Sequence, residues 1–182
     1  IDPMWTPLKR KSDGVIKFLH IGEPAPRKAG QTVVDAFVEL FGDDPRYSLT
    51  LKVFKHNTTR VFNNFIDRNI IGTPDQIYSN IHIIDKVYSD EELVKLYHEH
   101  DVLIYPSFGE GFGLIPLQAL ATGMPTICTE DWAHYKKFLG PLALKSDIID
   151  SPWPYPHAGK VYEPNYRHLL EVMKDVAENF KA

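Results

Sequence analysis

Apolar positions along the chain fall into two rhythms that alternate from one end to the other. Residues 15–22 (Val-Ile-Lys-Phe-Leu-His-Ile-Gly) form a largely apolar run closed by glycine, the pattern of a buried strand. Residues 23–30 carry two prolines, which argue against regular structure, and two adjacent cations, Arg27 and Lys28. Val33, Val34, Phe37, Val38, Leu40 and Phe41 then place an apolar face on a helix that ends at Gly42. The same alternation continues. It predicts a strand over 47–54, a short helix over 58–71 faced by Val61, Phe62, Phe65 and Ile66, and a strand over 81–87. Ser89 and Glu92 make a capping box for a helix carrying Leu93, Leu96 and Tyr97 to His100. A strand over 102–106, a helix over 112–122 closed by Gly123 and a strand over 125–129 follow. Residues 132–139 are helical in pattern, and 142–145 read as a sixth strand. Residues 161–164 read as extended, and 166–180 as an amphipathic helix on Leu169, Leu170, Met173, Val176, Ala177 and Phe180.

Short strands alternating with helices of about ten residues imply an α/β fold, a Rossmann-like three-layer sandwich. Its parallel sheet has about six strands, with helices on both faces. Such sheets bind ligands at the carboxyl ends of their strands. Residues 1–14, with two prolines and a terminal glycine, read as a linker arm that Trp5 docks onto a domain spanning 15–182. The proline-rich run 151–157 reads as a stiff extended loop, either a plain surface loop or a contact for an acceptor or partner domain.

Bulk composition narrows the partners. Lys plus Arg number 20 against 24 Asp plus Glu, a net charge of −4 that gives no general footprint for nucleic acid. Any anionic ligand must therefore be held locally. Cys128 is the single cysteine, which excludes an internal disulfide and any multi-cysteine metal site; in its apolar run it reads as a buried structural thiol. No apolar run is long enough to span a bilayer and the first residues lack a signal-peptide pattern, so a cytoplasmic setting is expected. Ile1 is not a start methionine, and the chain is expected to be cut from something longer. No cluster of carboxylates and histidines argues for a metal.

Chemistry concentrates in residues 105–118 (Tyr-Pro-Ser-Phe-Gly-Glu-Gly-Phe-Gly-Leu-Ile-Pro-Leu-Gln), a strand end, a glycine turn and a helix start. A helix opening near Phe112 to Leu114 leaves amides without intrahelical partners beside the positive end of the helix dipole, a ready anion site. If Lys28 faces the same crevice, a fixed cation and backbone donors converge on a phosphate-sized anion. Arg27 either adds a bidentate grip or is solvated. The Gly-Lys-Ser/Thr phosphate loop is absent, and no Gly-x-Gly-x-x-Gly follows the first strand, which argues against a P-loop ATPase and a nicotinamide cofactor. Glu110 stands alone in the glycine loop, where sugar hydroxyls are natural donors to it. A phosphate grip beside a hydroxyl acceptor points to a phosphorylated sugar or nucleotide sugar.

Pro106, Ser107, Glu110-Gly111-Phe112-Gly113-Leu114, Pro116, Leu117, Ala119, Gly123 and Pro125 resemble the donor-binding signature of retaining glycosyltransferases of the GT-B fold. Residues 18–22 with Lys28, residues 81–106 and residues 159–164 resemble the family's first strand and phosphate loop, the lead-in to the signature and the segment before its final helix, and Ile1-Asp2 resembles its interdomain hinge. The resemblance implies the C-terminal, donor-binding half of such an enzyme, with the acceptor bound mainly by an N-terminal domain that this chain lacks. It implies Lys28 and Glu110 as catalytic residues, neutralising the donor diphosphate and accepting donor-sugar hydroxyls. It implies donor binding around Gly22, Glu23 and Arg27, along Gly111, Phe112, Gly113 and Leu114, by Val87 and Tyr88 at the base, and at position 118 for the ribose. No metal or other cofactor is implied; the nucleoside-diphosphate sugar is a substrate. Two positions depart from the family: Gln118 stands where a glutamate is usual, and Glu23 where an arginine is common. Two alternative readings stay open, a non-catalytic sugar-nucleotide or partner-binding module and a sugar-nucleotide epimerase of the same fold.

Overall fold

The structure is a computed structural model that describes residues 4–7, 14–53, 78–153, 155 and 157–179. Its main sheet contains β1 (Ile16–Ile21), β2 (Tyr47–Lys52), β3 (Ile81–Ile84), β4 (Val102–Tyr105), β5 (Thr126–Thr129) and β6 (Ala143–Leu144). All neighbours pair parallel, in the order β3-β2-β1-β4-β5-β6. The chain winds outward from β1 to β3, then returns to the other side of β1 to lay down β4. The loops after β1 and β4 therefore diverge from adjacent strands and leave a crevice at the switch point.

The strands are apolar on both faces because both are covered. Phe18, Leu49, Ile81, Val102, Ile104 and Ile127 pack beneath α1 (Gly30–Phe41) and α4 (Tyr166–Asn179), through Val33, Phe37, Leu169 and Met173. Leu19, Ile21, Leu103, Tyr105 and Cys128 face the opposite layer, α2 (Asp90–His98) and α3 (Leu114–Ala121), through Leu96, Tyr97 and Ala119. This is the expected three-layer sandwich. Cys128 is fully buried, and burial pushes its thiol well above the ordinary range. Trp5 is 8% exposed and meets Tyr97 edge-on at 5.5 Å, so its ring docks on α2. The capping box of α2 is present: the Glu92 amide donates to Ser89 Oγ at 3.3 Å and the Ser89 amide to the Glu92 carboxylate at 2.7 Å.

Several expectations need correction. Residues 132–139 do not form a helix; 3-10 turns at Lys136–Phe138 and Gly140–Leu142 replace it, because Trp132 and Tyr135 turn inward and Gly140-Pro141 interrupts any continuation. Residues 26–28 are not irregular but a 3-10 turn, which Pro26 tolerates at its first position because no amide is needed there. β3 stops at Ile84, leaving Val87 and Tyr88 in a loop. An antiparallel hairpin, β7 (Ser146–Asp150) with β8 (Lys160–Pro164), stands outside the main sheet; its first strand, with two isoleucines among polar residues, carries no period to announce it. The helix expected over 58–71 lies outside the described residues. Among the described residues, no helix is long and apolar enough to cross a membrane.

Candidate functional site

The tight 3-10 turn after β1 throws Arg27 and Lys28 across the switch point toward the loop after β4. The turn closes through the Lys28 amide on Ala25 O at 2.8 Å and the Ala29 amide on Pro26 O at 2.9 Å. Ala29 holds a left-handed φ of 55°, which costs a non-glycine residue on the order of 1 kcal/mol and is sustained by its burial. The two loops are stitched by main chain: the Phe108 amide donates to Arg27 O at 2.9 Å, and the Arg27 guanidinium to Gly109 O. Phe108 O in turn accepts from the Tyr162 amide at 2.9 Å, so β8 braces the glycine loop from outside. Trp153, from the proline-rich loop, packs edge-on against Phe108 at 5.1 Å, while Tyr155 is 92% exposed.

Glu110 is the hub. Its Oε1 accepts from Lys28 Nζ at 2.7 Å, Ser107 Oγ at 2.7 Å, Tyr105 OH at 3.1 Å and Arg27 Nη1 at 3.2 Å. Its Oε2 accepts from Lys28 Nζ at 2.8 Å. The Glu110, Lys28 and Arg27 side chains are 11%, 12% and 21% exposed. Burial alone would push the Glu110 carboxyl up; the hydrogen bonds of Lys28 and Ser107 and the charges of Lys28 and Arg27 outweigh it and hold the carboxyl below its ordinary value. Lys28 also donates to Tyr105 OH at 3.1 Å. Arg27 is half-buried and turned onto Glu110 and Gly109.

The head of α3 is built by a clamp. Gly113 sits at its N-cap with φ 74°, and among the described residues no side chain caps the helix. A Cβ there would lie 2.5 Å from both Trp132 Cζ3 and Tyr135 Oη, so only glycine fits. Trp132 Nε1 donates to Ser107 O and Tyr135 OH to Gly113 O, each at 2.7 Å. These bonds tie the loop after β5 to the glycine turn and fix the direction of the first-turn amides. Phe112 and Leu114 are more than half exposed, and Gly111 is exposed.

The remaining residues singled out from the sequence spread along the same carboxyl edge. Gly22 ends β1, its amide donating to Lys52 O at 3.0 Å. Glu23 is exposed. Gln118 lies one turn into α3, its side-chain carbonyl accepting from Tyr97 OH at 3.3 Å. Val87 is 75% exposed, and Tyr88 beside it lies under the ammonium of Lys52 at 5.0 Å. The structure therefore brings Arg27, Lys28 and Glu110 into contact, sets Gly111 to Leu114 directly after them, and leaves Val87 and Tyr88 two strands away, beyond β2. Tyr105, Ser107, Trp132, Tyr135 and Lys52 support the site without having been assigned a role from sequence. Lys52 carried one visible signal, a charged residue inside an apolar strand; it is 1% exposed.

The sequence model for the family described as "Glycosyl transferases group 1" matches residues 15–136. The chain is 28% identical over 163 residues to the O-antigen chain mannosyltransferase B of Escherichia coli, covering 86% of this chain and 36% of that protein. It is 29% identical over 107 residues to the D-inositol 3-phosphate glycosyltransferase of Corynebacterium efficiens, covering 59% and 25%. It thus spans about a third or less of these relatives. Its fold matches the C-terminal domain of a glycosyl transferase group 1 family protein, LpcC, from Francisella tularensis (TM-score 0.59, 15% identity, 97% of this chain and 86% of that one). It also matches WaaG, a glycosyltransferase involved in lipopolysaccharide biosynthesis (TM-score 0.60, 16% identity, 92% and 39%).

Proposed function

The chain belongs to the group 1 glycosyl transferases, and on that footing we propose that it is the donor-binding half of a retaining enzyme. The reaction moves a hexose-type sugar from a nucleoside diphosphate to an acceptor hydroxyl held mainly by another domain. The observation that carries this reading is the unequal loading of Glu110. Oε1 is anchored by Arg27, Ser107 and Tyr105 as well as Lys28, whereas the hydrogen bonds to Oε2 described above come from Lys28 alone. A diphosphate competes for the Lys28 ammonium. As Lys28 turns to it, Oε2 opens to accept sugar hydroxyls while Oε1 stays tethered.

The Lys28–Glu110 pair is then the resting state of a site whose two halves serve different parts of one donor. Lys28 and the uncapped head of α3 stabilise the charge that builds on the departing diphosphate, a preorganised contribution of roughly 3–4 kcal/mol per donor group. Glu110 orients the sugar from below. The scheme uses no metal. Val87 and Tyr88 border the base, and the Gln118 carbonyl faces the ribose. The chain alone is expected to bind donor weakly and turn over negligibly, because the acceptor side is contributed elsewhere.

Titrating the chain with UDP, GDP and ADP by calorimetry and amide NMR tests the site. At least one should bind below millimolar and move the amides of Gly111 to Leu114; no binding of any at millimolar concentration overturns the reading. One observation favours a second reading, a module that binds without transferring: the Gln118 carbonyl is already engaged by Tyr97, and Glu23 supplies no cation. Gln118→Glu in the two-domain enzyme separates the two. A large gain in transfer marks a damaged site, and a loss of activity marks one retuned around glutamine.

A further inference from the structure

His20 lies near the end of β1, 2% exposed, beneath the turn that carries Lys28. Its Nδ1 is 2.8 Å from Ile104 O. A carbonyl oxygen only accepts, so Nδ1 carries the proton and Nε2 is a bare acceptor. Nε2 is buried and has no hydrogen-bond partner among the described residues. Burial is the main reason the imidazole pKa falls to about 4; the Ile104 bond opposes that shift and the charge of Lys28 adds to it. The ring is therefore neutral near pH 7.

A buried acceptor left unpaired is costly, and its surroundings say what is meant to reach it. The space where a side chain on Gly22 would begin is bounded by His20 Nε2 at 3.4 Å and by Lys28 Cβ and Cγ at 3.5 and 3.6 Å. The imidazole also lies alongside Tyr105, ring centres 6.1 Å apart, and the Tyr105 hydroxyl already receives the Lys28 ammonium. Nε2 and the lysine stem thus share one gap, kept open by the missing side chain of Gly22.

We propose that His20 is a positioning residue for Lys28: when a donor diphosphate draws the ammonium off Glu110, His20 Nε2 accepts one of its protons and steadies it beneath the phosphates. The inference rests on the donor-site reading above. Lys28 has three N–H donors. In the loaded site they go to the diphosphate, to Tyr105 OH and to His20 Nε2. The exchange of partners matters electrostatically. A carboxylate partner cancels the lysine charge, whereas a neutral imine nitrogen holds the ammonium in place and leaves its full charge for the phosphates.

The test follows the His20 ring nitrogens by long-range proton–nitrogen NMR while the chain is titrated with whichever of UDP, GDP and ADP binds, and with the matching nucleoside. The diphosphate should move the Nε2 resonance from its unpaired to its hydrogen-bonded position, and the nucleoside should not. His20→Phe keeps an aromatic ring but no acceptor, and should weaken diphosphate binding about fivefold, the worth of one neutral hydrogen bond, with nucleoside binding unchanged. Gly22→Ala places a methyl group in the gap at ordinary contact distance; it should fold and give the same selective loss. An Nε2 resonance that stays put at saturating diphosphate, or wild-type diphosphate affinity in either variant, sinks the role of His20 and leaves the donor site standing. Failure of the unsubstituted chain to bind any diphosphate sinks both.

Discussion

The fold shifts the ionisation of both Glu110 and His20, and both make stability depend on pH. A carboxyl held below its ordinary value contributes stability that is present above the unfolded pKa and lost as pH falls through the folded one. His20 works in a higher window. Unfolded, its imidazole takes a proton near 6.5; folded, it resists until about 4, so the unfolded state binds more protons between those values and stability falls as pH drops through them. The loss amounts to roughly 2–3 kcal/mol by pH 4.5. His100, buried and also shifted down, adds in the same direction. Urea unfolding at pH 7 and 4.5 should therefore show a drop that shrinks by about that amount, roughly 2 kcal/mol, in His20→Phe. Glu110→Gln keeps acceptors for Ser107 and Tyr105 but strips the counter-charge from Lys28 and Arg27. It should cost about 1–3 kcal/mol by urea unfolding at pH 7, toward the low end for a pair that keeps some solvent contact. From the sequence, Lys28 and Glu110 stood out as residue types suited to phosphate and hydroxyl. That they meet each other in the resting site did not, because nothing in either loop's local pattern encodes its distance from the other.

At the scale of elements, α3 depends on a turn that no single segment builds. Gly113→Ala forces a left-handed φ on alanine and drives its Cβ to 2.5 Å from two aromatic side chains. It should lower stability by more than about 2 kcal/mol in thermal unfolding and abolish diphosphate binding, since the clamp and the first-turn amides move together. Ser89→Ala is the matched contrast. It removes the α2 cap, should cost about 1 kcal/mol, and should leave diphosphate affinity as it was. The capping box and the glycine turn were both legible because their signals lie within a few residues. The loop after β5 was misread for an equally local reason. Trp132, Tyr135 and Leu139 repeat at helical spacing and are all buried, but they are drawn in by Gly113, Ser107 and the α2–α3 layer rather than by a helix of their own.

For the whole molecule, the site and the fold are coupled by mass action. A nucleoside diphosphate at ten times its Kd should stabilise the chain by about 1.4 kcal/mol and raise Tm by roughly 3 °C in a thermal-shift measurement. The same concentration of nucleoside should do less, and a Tm that ignores diphosphate altogether contradicts the proposed site. The alternation of strand and helix, the parallel sheet, the glycine turn and the cap of α2 were determined by the sequence itself. Each is written in burial periodicity or backbone freedom over a dozen residues or fewer. Only the tertiary structure decided that β4 returns beside β1 and that Lys28 closes on Glu110 across 82 residues of chain. It alone decided that Trp132 and Tyr135 lock the glycine turn, and that His20 Nε2, without a hydrogen-bond partner among the described residues, lies beside the lysine stem. These depend on strand order and on which loops share an edge, which the packing of all three layers settles together and no local stretch of the chain records.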